Sequence, residues 1–248
     1  MIAIRTHEEI ELIRRAGKII VKTLQLLRSR VKPGVSTQEL DELAEDSIRS
    51  QGGAPAFKGY KGFPANICTS INEEIVHGIP DEKRILREGD IVGIDIGVGC
   101  EGYFADAAIT LAVGNIYSPL QKLLDVTRDS LYLGIKKARI RNHLSDISAA
   151  IQNFVEANGF SVVREFVGHG IGRELHESPE IPNFGQPHTG PMLKKGMVLA
   201  IEPMVNMGTW QADFLDNNWT AVTKDRKPSA HFEHTIVVTD SNPEILTN

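Results

Sequence analysis

The sequence predicts a single α/β domain of two related halves, and three observations carry that reading. Arg87-Glu-Gly-Asp-Ile-Val-Gly-Ile-Asp95 is echoed by Lys194-Lys-Gly-Met-Val-Leu-Ala-Ile-Glu202 at an offset of 107 residues (202 − 95). The same offset pairs Gly52 with Gly159 and Leu24 with Leu131, so a helix–helix–strand order recurs in register. No linker or change of composition separates the halves, roughly 1–110 and 111–248. A chain of 248 residues can bury roughly 70–75% of its unfolded surface in one such unit. An acidic residue then ends an equivalent buried strand in each half, and the two carboxylates are expected to meet near the pseudo-two-fold axis.

The elements follow in order. After Thr6, a candidate N-cap, Ile10, Ile13, Ile20, Leu24 and Leu27 keep helical spacing until Lys32-Pro33-Gly34 stops them. Ser36-Thr37-Gln38-Glu39 has the form of a capping box and opens a second helix through Leu40, Leu43 and Ile48 to Gly52-Gly53. Residues 54–65, with two prolines and the aromatics Phe57, Tyr60 and Phe63, read as an ordered loop. Strands are expected at Asn66–Ser70, Ile91–Ile96 and Tyr103–Val113. Helices are expected at Ser118–Lys137 and Ser145–Ala157, the second ending at Asn158-Gly159, and strands and turns return from Val162.

Charge is balanced, 27 Lys+Arg against 32 Asp+Glu for a net −5, and no long basic block occurs. Binding to nucleic acid regardless of sequence is therefore not expected. No apolar run approaches membrane-spanning length, and no secretory segment is evident. The expected setting is the cytoplasm, with Cys68 and Cys100 as reduced thiols.

The chemistry gathers in a few places. Phe166-Val-Gly-His-Gly-Ile-Gly-Arg-Glu-Leu-His-Glu177 holds three glycines too close together for a stable helix, so a strand running into a tight loop is expected. Its histidines, His169 and His176, read either as solvated loop residues or as groups that something approaches closely across bare backbone. Four acids stand in apolar or glycine-rich runs: Asp95, Asp106, Glu202 and Glu233. For any one of them a solvated carboxylate at a strand edge is the simpler reading. Four together with His169, and few basic partners in comparable runs, favour divalent metal ligation. One imidazole and four carboxylates suffice for two ions, because carboxylates bridge, and oxygen-rich ligation favours Mn²⁺, Co²⁺, Fe²⁺ or Zn²⁺ over a cysteine-type structural zinc site.

Asp95 and Asp106 eleven apart, Gly168-His-Gly-Ile-Gly172, Ile201-Glu-Pro-Met204, Phe232-Glu-His-Thr235 and Asn72-Glu-Glu-Ile-Val-His-Gly-Ile-Pro80 together resemble the methionine aminopeptidases of type I. The resemblance covers essentially the whole chain. It implies the pita-bread fold, a curved, antiparallel-rich sheet covered by helices around a central dinuclear metal site, in one catalytic domain over 1–248. It implies metal ligation by Asp95, Asp106, His169, Glu202 and Glu233, with Asp106 and Glu233 bridging, Asp95 on one ion, and His169 with Glu202 on the other. Glu202 is the implied proton shuttle, His77 the contact to the peptide nitrogen, and His176 the group that stabilises the oxyanion. Phe57, Tyr60, Phe63, Cys68, Leu175 and Trp219 match positions lining the methionine pocket, although composition alone would place them in the core. The implied reaction removes the initiator methionine from deformylated nascent chains whose second residue is small and uncharged. The expected protein is a monomer acting near the ribosome, of bacterial-like form: no helical insertion fits between Glu202 and Glu233, and no cysteine-rich extension precedes Ile2. Ala105 departs from the family's glycine before the second aspartate, and a local backbone adjustment is expected there. Two rival readings are a proline-directed peptidase of the same fold and a non-catalytic relative, which would usually have lost metal ligands.

Overall fold

The computed structural model describes residues 2–248. Helix α1 (His7–Arg30) and helix α2 (Thr37–Ser50) open the chain. The expected caps are made: Thr6 Oγ1 accepts from Glu9 N–H, and Glu9 Oε2 accepts from Thr6 N–H. Ser36 and Glu39 exchange the same pair of bonds at α2. There follow β1 (Ala54–Pro55), β2 (Cys68–Ile71), β3 (Glu74–Val76), β4 (Ile91–Cys100) and β5 (Tyr103–Ala112). The second half contains α3 (Ser118–Lys137), α4 (Leu144–Ala157), β6 (Ser161–Val162), β7 (Gly168–Gly170), β8 (Glu177–Ile181), β9 (Val198–Ile201), β10 (Met204–Asn206), β11 (Ala212–Phe214), β12 (Ala221–Thr223), β13 (Ser229–His231), β14 (His234–Val237) and β15 (Glu244–Ile245).

The offset read from the sequence recurs in the coordinates. Helices α2 and α4 begin and end 107 residues apart (144 − 37 and 157 − 50), and β1 and β6 are related in the same way (161 − 54). Gly52 and Gly159, after those helices, sit at φ 81° and 85°, the left-handed conformation that closes a helix most easily with glycine. Even the lone bridges correspond, Ser36 with Ile85 and His143 with Met192.

Strand pairing is antiparallel throughout. Strand β4 pairs with β1, β2 and β5. Strands run in the order β8-β7-β9-β14-β15 in the second half, with β6-β10-β13 and β3-β12-β11 alongside. Helices α1 and α2 cover β4 and β5 with Ile13, Ile20, Leu27, Leu40 and Ile48 fully buried, and α3 and α4 bury Leu123, Ile147 and Ile151 against the second set.

Three expectations shift. Asp95 does not end its strand, since β4 runs on to Cys100, whereas its counterpart Glu202 directly follows β9. The loop at 54–65 contains β1 and one turn of 3₁₀ helix at Tyr60–Gly62, too short to leave a periodic signal. Strand β2 starts at Cys68 rather than Asn66, because the buried Asp41 carboxylate accepts from the backbone N–H of Asn66 (2.8 Å) and Ile67 (3.0 Å). Among the described residues no helix is long and apolar enough to cross a membrane.

Candidate metal centre

Strand register explains why the acids converge. In the β4–β5 hairpin Asp95 faces Ala108 and Asp106 faces Gly97. Residues two apart share a face of a strand, so both aspartates project from one side of the hairpin as diagonal neighbours. In the second half Ile201 pairs with His234 and Met204 with His231, which leaves Glu202 opposite Glu233 where the ladder breaks at Pro203. Glu233 N–H donates to Ala108 O at 2.9 Å and ties that break to β5. His169 on β7 pairs with Ala200 on β9, two residues before Glu202. Gly168 must be bare at this point, since a Cβ would stand 2.5 Å from Ala200 O.

A cavity of about 160 Å³, more than ten times the space one water needs, is lined by all thirteen residues the sequence singled out. Asp95, Asp106, His169, Glu202 and Glu233 form its polar floor. His77 and His176 flank it, and Phe57, Tyr60, Phe63, Cys68, Leu175 and Trp219 form an apolar side. Lys61 also lines it, and the sequence reading missed this residue. Donor atoms of Asp106, His169 and Glu233 lie within 4.8 Å of one another. His169 Nε2 is 3.3 Å from Asp106 and 3.6 Å from Glu202, and Nδ1 meets Gly170 O at 2.9 Å. With Nδ1–H donated to that carbonyl, Nε2 is the nitrogen left facing the carboxylates.

The electrostatics follow from acids crowded away from water. Burial, with Asp106 and Glu202 nearby, pushes the Asp95 carboxyl up to about 7 against the pull of His231. Glu233 is raised well above the carboxylate range by burial and then by Asp106, Glu202 and Asp95. At His169 burial opposes the charge, but Asp106 and Glu202 outweigh it and carry the imidazole up to about 9. Asp95 Oδ1 is buried with no hydrogen-bond partner among the described residues. Such an orphaned acceptor in an oxygen-rich, imidazole-bearing cluster is what divalent cation ligation would satisfy, so the donor set fits the metal that the sequence implies.

His176 and Tyr60 stack at 5.2 Å, and His176 Nδ1 meets the Tyr60 hydroxyl at 3.0 Å. The His77 ring stands edge-on to Phe166 at 5.5 Å and to Trp219 at 6.4 Å. Burial lowers the imidazoles of His77 and His176 to about 4, with His231 adding to it at His77 and His169 at His176, so both are neutral at pH 7. Two supporting residues escaped the sequence reading. The Thr235 hydroxyl accepts from Asp106 N–H (3.0 Å) and faces Asp106 O (2.8 Å) and Oδ1 (3.0 Å). His231, fully enclosed, holds Nε2 3.5 Å from Glu202. The signal that found the acids, a polar residue in an apolar run, also marks His231. Cys68 and Cys100 are free thiols, with Cys68 buried in the pocket wall.

Comparison with known proteins agrees with this geometry. The model of metallopeptidase family M24 matches residues 11–240. A methionine aminopeptidase of Clostridium perfringens is 54% identical over 100% of this chain and 99% of its own length. Methionine aminopeptidase 1 of Bacillus subtilis is 53% identical at the same coverage. The crystal structure of a methionine aminopeptidase from Thermotoga maritima superposes with a TM-score of 0.99, at 45% identity and full coverage of both chains.

Proposed function

We infer the function from one premise: the chain belongs to metallopeptidase family M24 and has its pita-bread fold. It is a metal-dependent methionyl aminopeptidase, a hydrolase that removes the N-terminal methionine of peptides and nascent proteins. The observation that carries this reading to the residues is the convergence of five metal-type donors and an apolar pocket in one cavity.

In the proposed site Asp95, Asp106, His169, Glu202 and Glu233 would hold two divalent ions. Divalent ions held there would supply a water of lowered pKa and polarisation of the scissile carbonyl. Glu202, at the edge of the cluster with its side chain only 13% exposed, takes the water's proton as attack proceeds. His77, neutral and held between Phe166 and Trp219, faces the peptide nitrogen of the scissile bond. In the proposed tautomer His176 Nδ1, 3.0 Å from the Tyr60 hydroxyl, accepts from it, which leaves Nε2–H as the donor for negative charge growing on the carbonyl oxygen. Phe57, Tyr60, Phe63, Cys68, Leu175 and Trp219 receive the methionine side chain. The space beside the cations and His77 restricts the second residue to small, uncharged types. A formylated amine would be refused, because it lacks the basic nitrogen that a free N-terminus would offer to a cation held by these donors. The proposed setting is the cytoplasm, the protein a monomer meeting chains near the ribosome.

The test restores Co²⁺, Mn²⁺, Fe²⁺ and Zn²⁺ in turn to the chelated protein, with Met-Ala-Ser, Met-Lys-Ser, formyl-Met-Ala-Ser and a proline-containing dipeptide as substrates. Metal-dependent release of methionine from Met-Ala-Ser alone is the expected result. Release before lysine or from the formylated peptide would overturn the proposed specificity, and cleavage confined to the proline substrate would overturn the site assignment.

A further inference from the structure

We propose that Phe214 and the outer edge of β11 hold the substrate chain beyond its second residue, recognising an apolar side chain at one of positions three to five. The proposal rests on the aminopeptidase reading above and names a surface outside the cavity. Strands β3, β12 and β11 form one small sheet, in which Val76 pairs with Ala221 and Ala221 with Phe214. His77 follows Val76 and Trp219 precedes the β12 strand, so two cavity residues and Phe214 stand at the same end of this sheet. An aromatic row connects them. Trp219 is edge-on to His77, His77 to Phe166 at 5.5 Å and 86°, and Phe166 to Phe214 at 6.1 Å and 64°. The row begins in the cavity and ends in solvent, for Phe214 is 58% exposed. A large apolar side chain left in water at the end of a half-buried aromatic row marks a surface that something covers.

The backbone there offers a second contact. Strand β11 is an edge strand, paired only with β12 among the described residues. Leu215 N–H bonds to Thr220 O and Lys224 N–H to Gln211 O, so the odd-numbered residues bond inward to β12. Alternation then turns the amide and carbonyl of Phe214 outward, where an extended peptide can add to the edge. Ala212 N–H, the other outward amide, is taken by Glu165 Oε1 at 3.2 Å, which confines the free edge to Phe214 and its surroundings. The occupant is set by continuity: a substrate whose scissile bond faces His77 must continue out of the cavity. The ring contacts of 5.5 and 6.1 Å carry Phe214 at most about 12 Å from the His77 ring, three to four residues of extended chain at ~3.3 Å each.

The experiment uses the full chain loaded with a divalent metal, as wild type and as Phe214→Ser. The substrates are Met-Ala-Ser and hexapeptides of the form Met-Ala-Ser-Ser-Ser-Gly in which position three, four or five is Phe, Leu, Gly or Asp. The wild type is expected to gain roughly three- to ten-fold in kcat/KM with Phe or Leu over Gly at one of these positions, chiefly through KM, the scale of one aromatic contact. Phe214→Ser is expected to lose that gain while cleaving Met-Ala-Ser at the wild-type rate. No apolar preference at any of the three positions, or a preference that survives in Phe214→Ser, overturns the proposal. Failure of both proteins to cleave Met-Ala-Ser with any metal overturns the aminopeptidase reading, and the proposal with it.

Discussion

Thr235→Val changes one atom's chemistry at nearly constant shape, beside a proposed metal ligand. The Thr235 hydroxyl is the acceptor for Asp106 N–H at 3.0 Å and a donor toward Asp106 O and Oδ1, and both residues are buried. Valine fills the same volume and leaves the Asp106 amide without a partner. Stranding one buried donor costs about 1–3 kcal/mol. Taking about 2 kcal/mol, and 2–4 °C per kcal/mol for a chain of this size, Tm of the chelated protein should fall by about 4–8 °C. The carboxylate also loses a bond that orients it, and loss of such a support weakens metal affinity about 10–100-fold. Thermal unfolding in chelator isolates the first effect, and calorimetric titration with Mn²⁺ reads the second. Activity at saturating metal should recover to within about ten-fold, because the ligand itself remains. An unchanged Tm with an unchanged metal Kd would refute the role assigned to this hydroxyl.

Other outcomes follow from the same geometry. Glu233→Ala should abolish turnover and leave a folded chain by circular dichroism, since a carboxylate at the strand break is lost while the helix–sheet cores are untouched; near-normal activity at saturating metal would exclude a bridging role. His176→Ala should lower kcat by on the order of 10²–10³ with a smaller change in KM, because its charge partner develops only during attack; an effect confined to KM would move His176 to ground-state binding. His234, whose two nitrogens meet Thr247 Oγ1 at 2.9 Å and the Tyr132 hydroxyl at 3.3 Å, is lowered to about 4 by burial. The unfolded chain takes up that proton near 6.5, so His234 contributes stability that is complete above pH 6.5 and lost as pH falls toward 4. Between pH 7 and 5 the loss is about 2 kcal/mol at 1.36 kcal/mol per pH unit, and urea unfolding of chelated His234→Asn should show a pH dependence reduced by up to about that amount. An identical pH dependence in variant and wild type would contradict the buried, neutral assignment.

Much of this was legible because polar residues in the wrong company are conspicuous. Asp95 in Ile91-Val-Gly-Ile and Glu202 after Val198-Leu-Ala-Ile interrupt runs that otherwise only bury themselves, and the 107-residue echo places the two equivalently. Helix ends were legible for a local reason: the capping boxes at Thr6 and Ser36 need partners only three residues away. What escaped was long-range or very short. Thr235 meets Asp106 across 129 residues, and nothing near either one announces the other. Arg5 pairs with Glu177 across 172 residues, while Glu9 accepts from Tyr103 and Arg173. That network ties the first residues of the chain to the loop bearing Leu175 and His176. It needs Gly172 bare, since a Cβ there would stand 2.6 Å from the Arg5 guanidinium. The sequence showed that Gly172 belongs to a tight segment, but only the fold shows that an arginine fills the space.

The site also explains why so much charge can be kept inside a stable chain. Four carboxyls, of Asp95, Asp106, Glu202 and Glu233, share the enclosure with two imidazoles, of His169 and His231, that are within ion-pair reach of them. Even with both imidazoles protonated, four ionised carboxylates would leave two negative charges uncompensated in a medium that screens poorly. The excess can be met in only two ways: protons retained on Asp95 and Glu233, the groups pushed upward, or cations among the donors. Protons and cations therefore compete for the same oxygens, so metal affinity must rise with pH through the range where those carboxyls ionise. The charged groups stand along one face of β4 and β5, on β7 and at the break at Pro203, whereas α1–α2 and α3–α4 bury their apolar faces against the sheets. Separating the packed layers from the charged seam lets the seam exchange protons for cations without disturbing the cores that hold it in place.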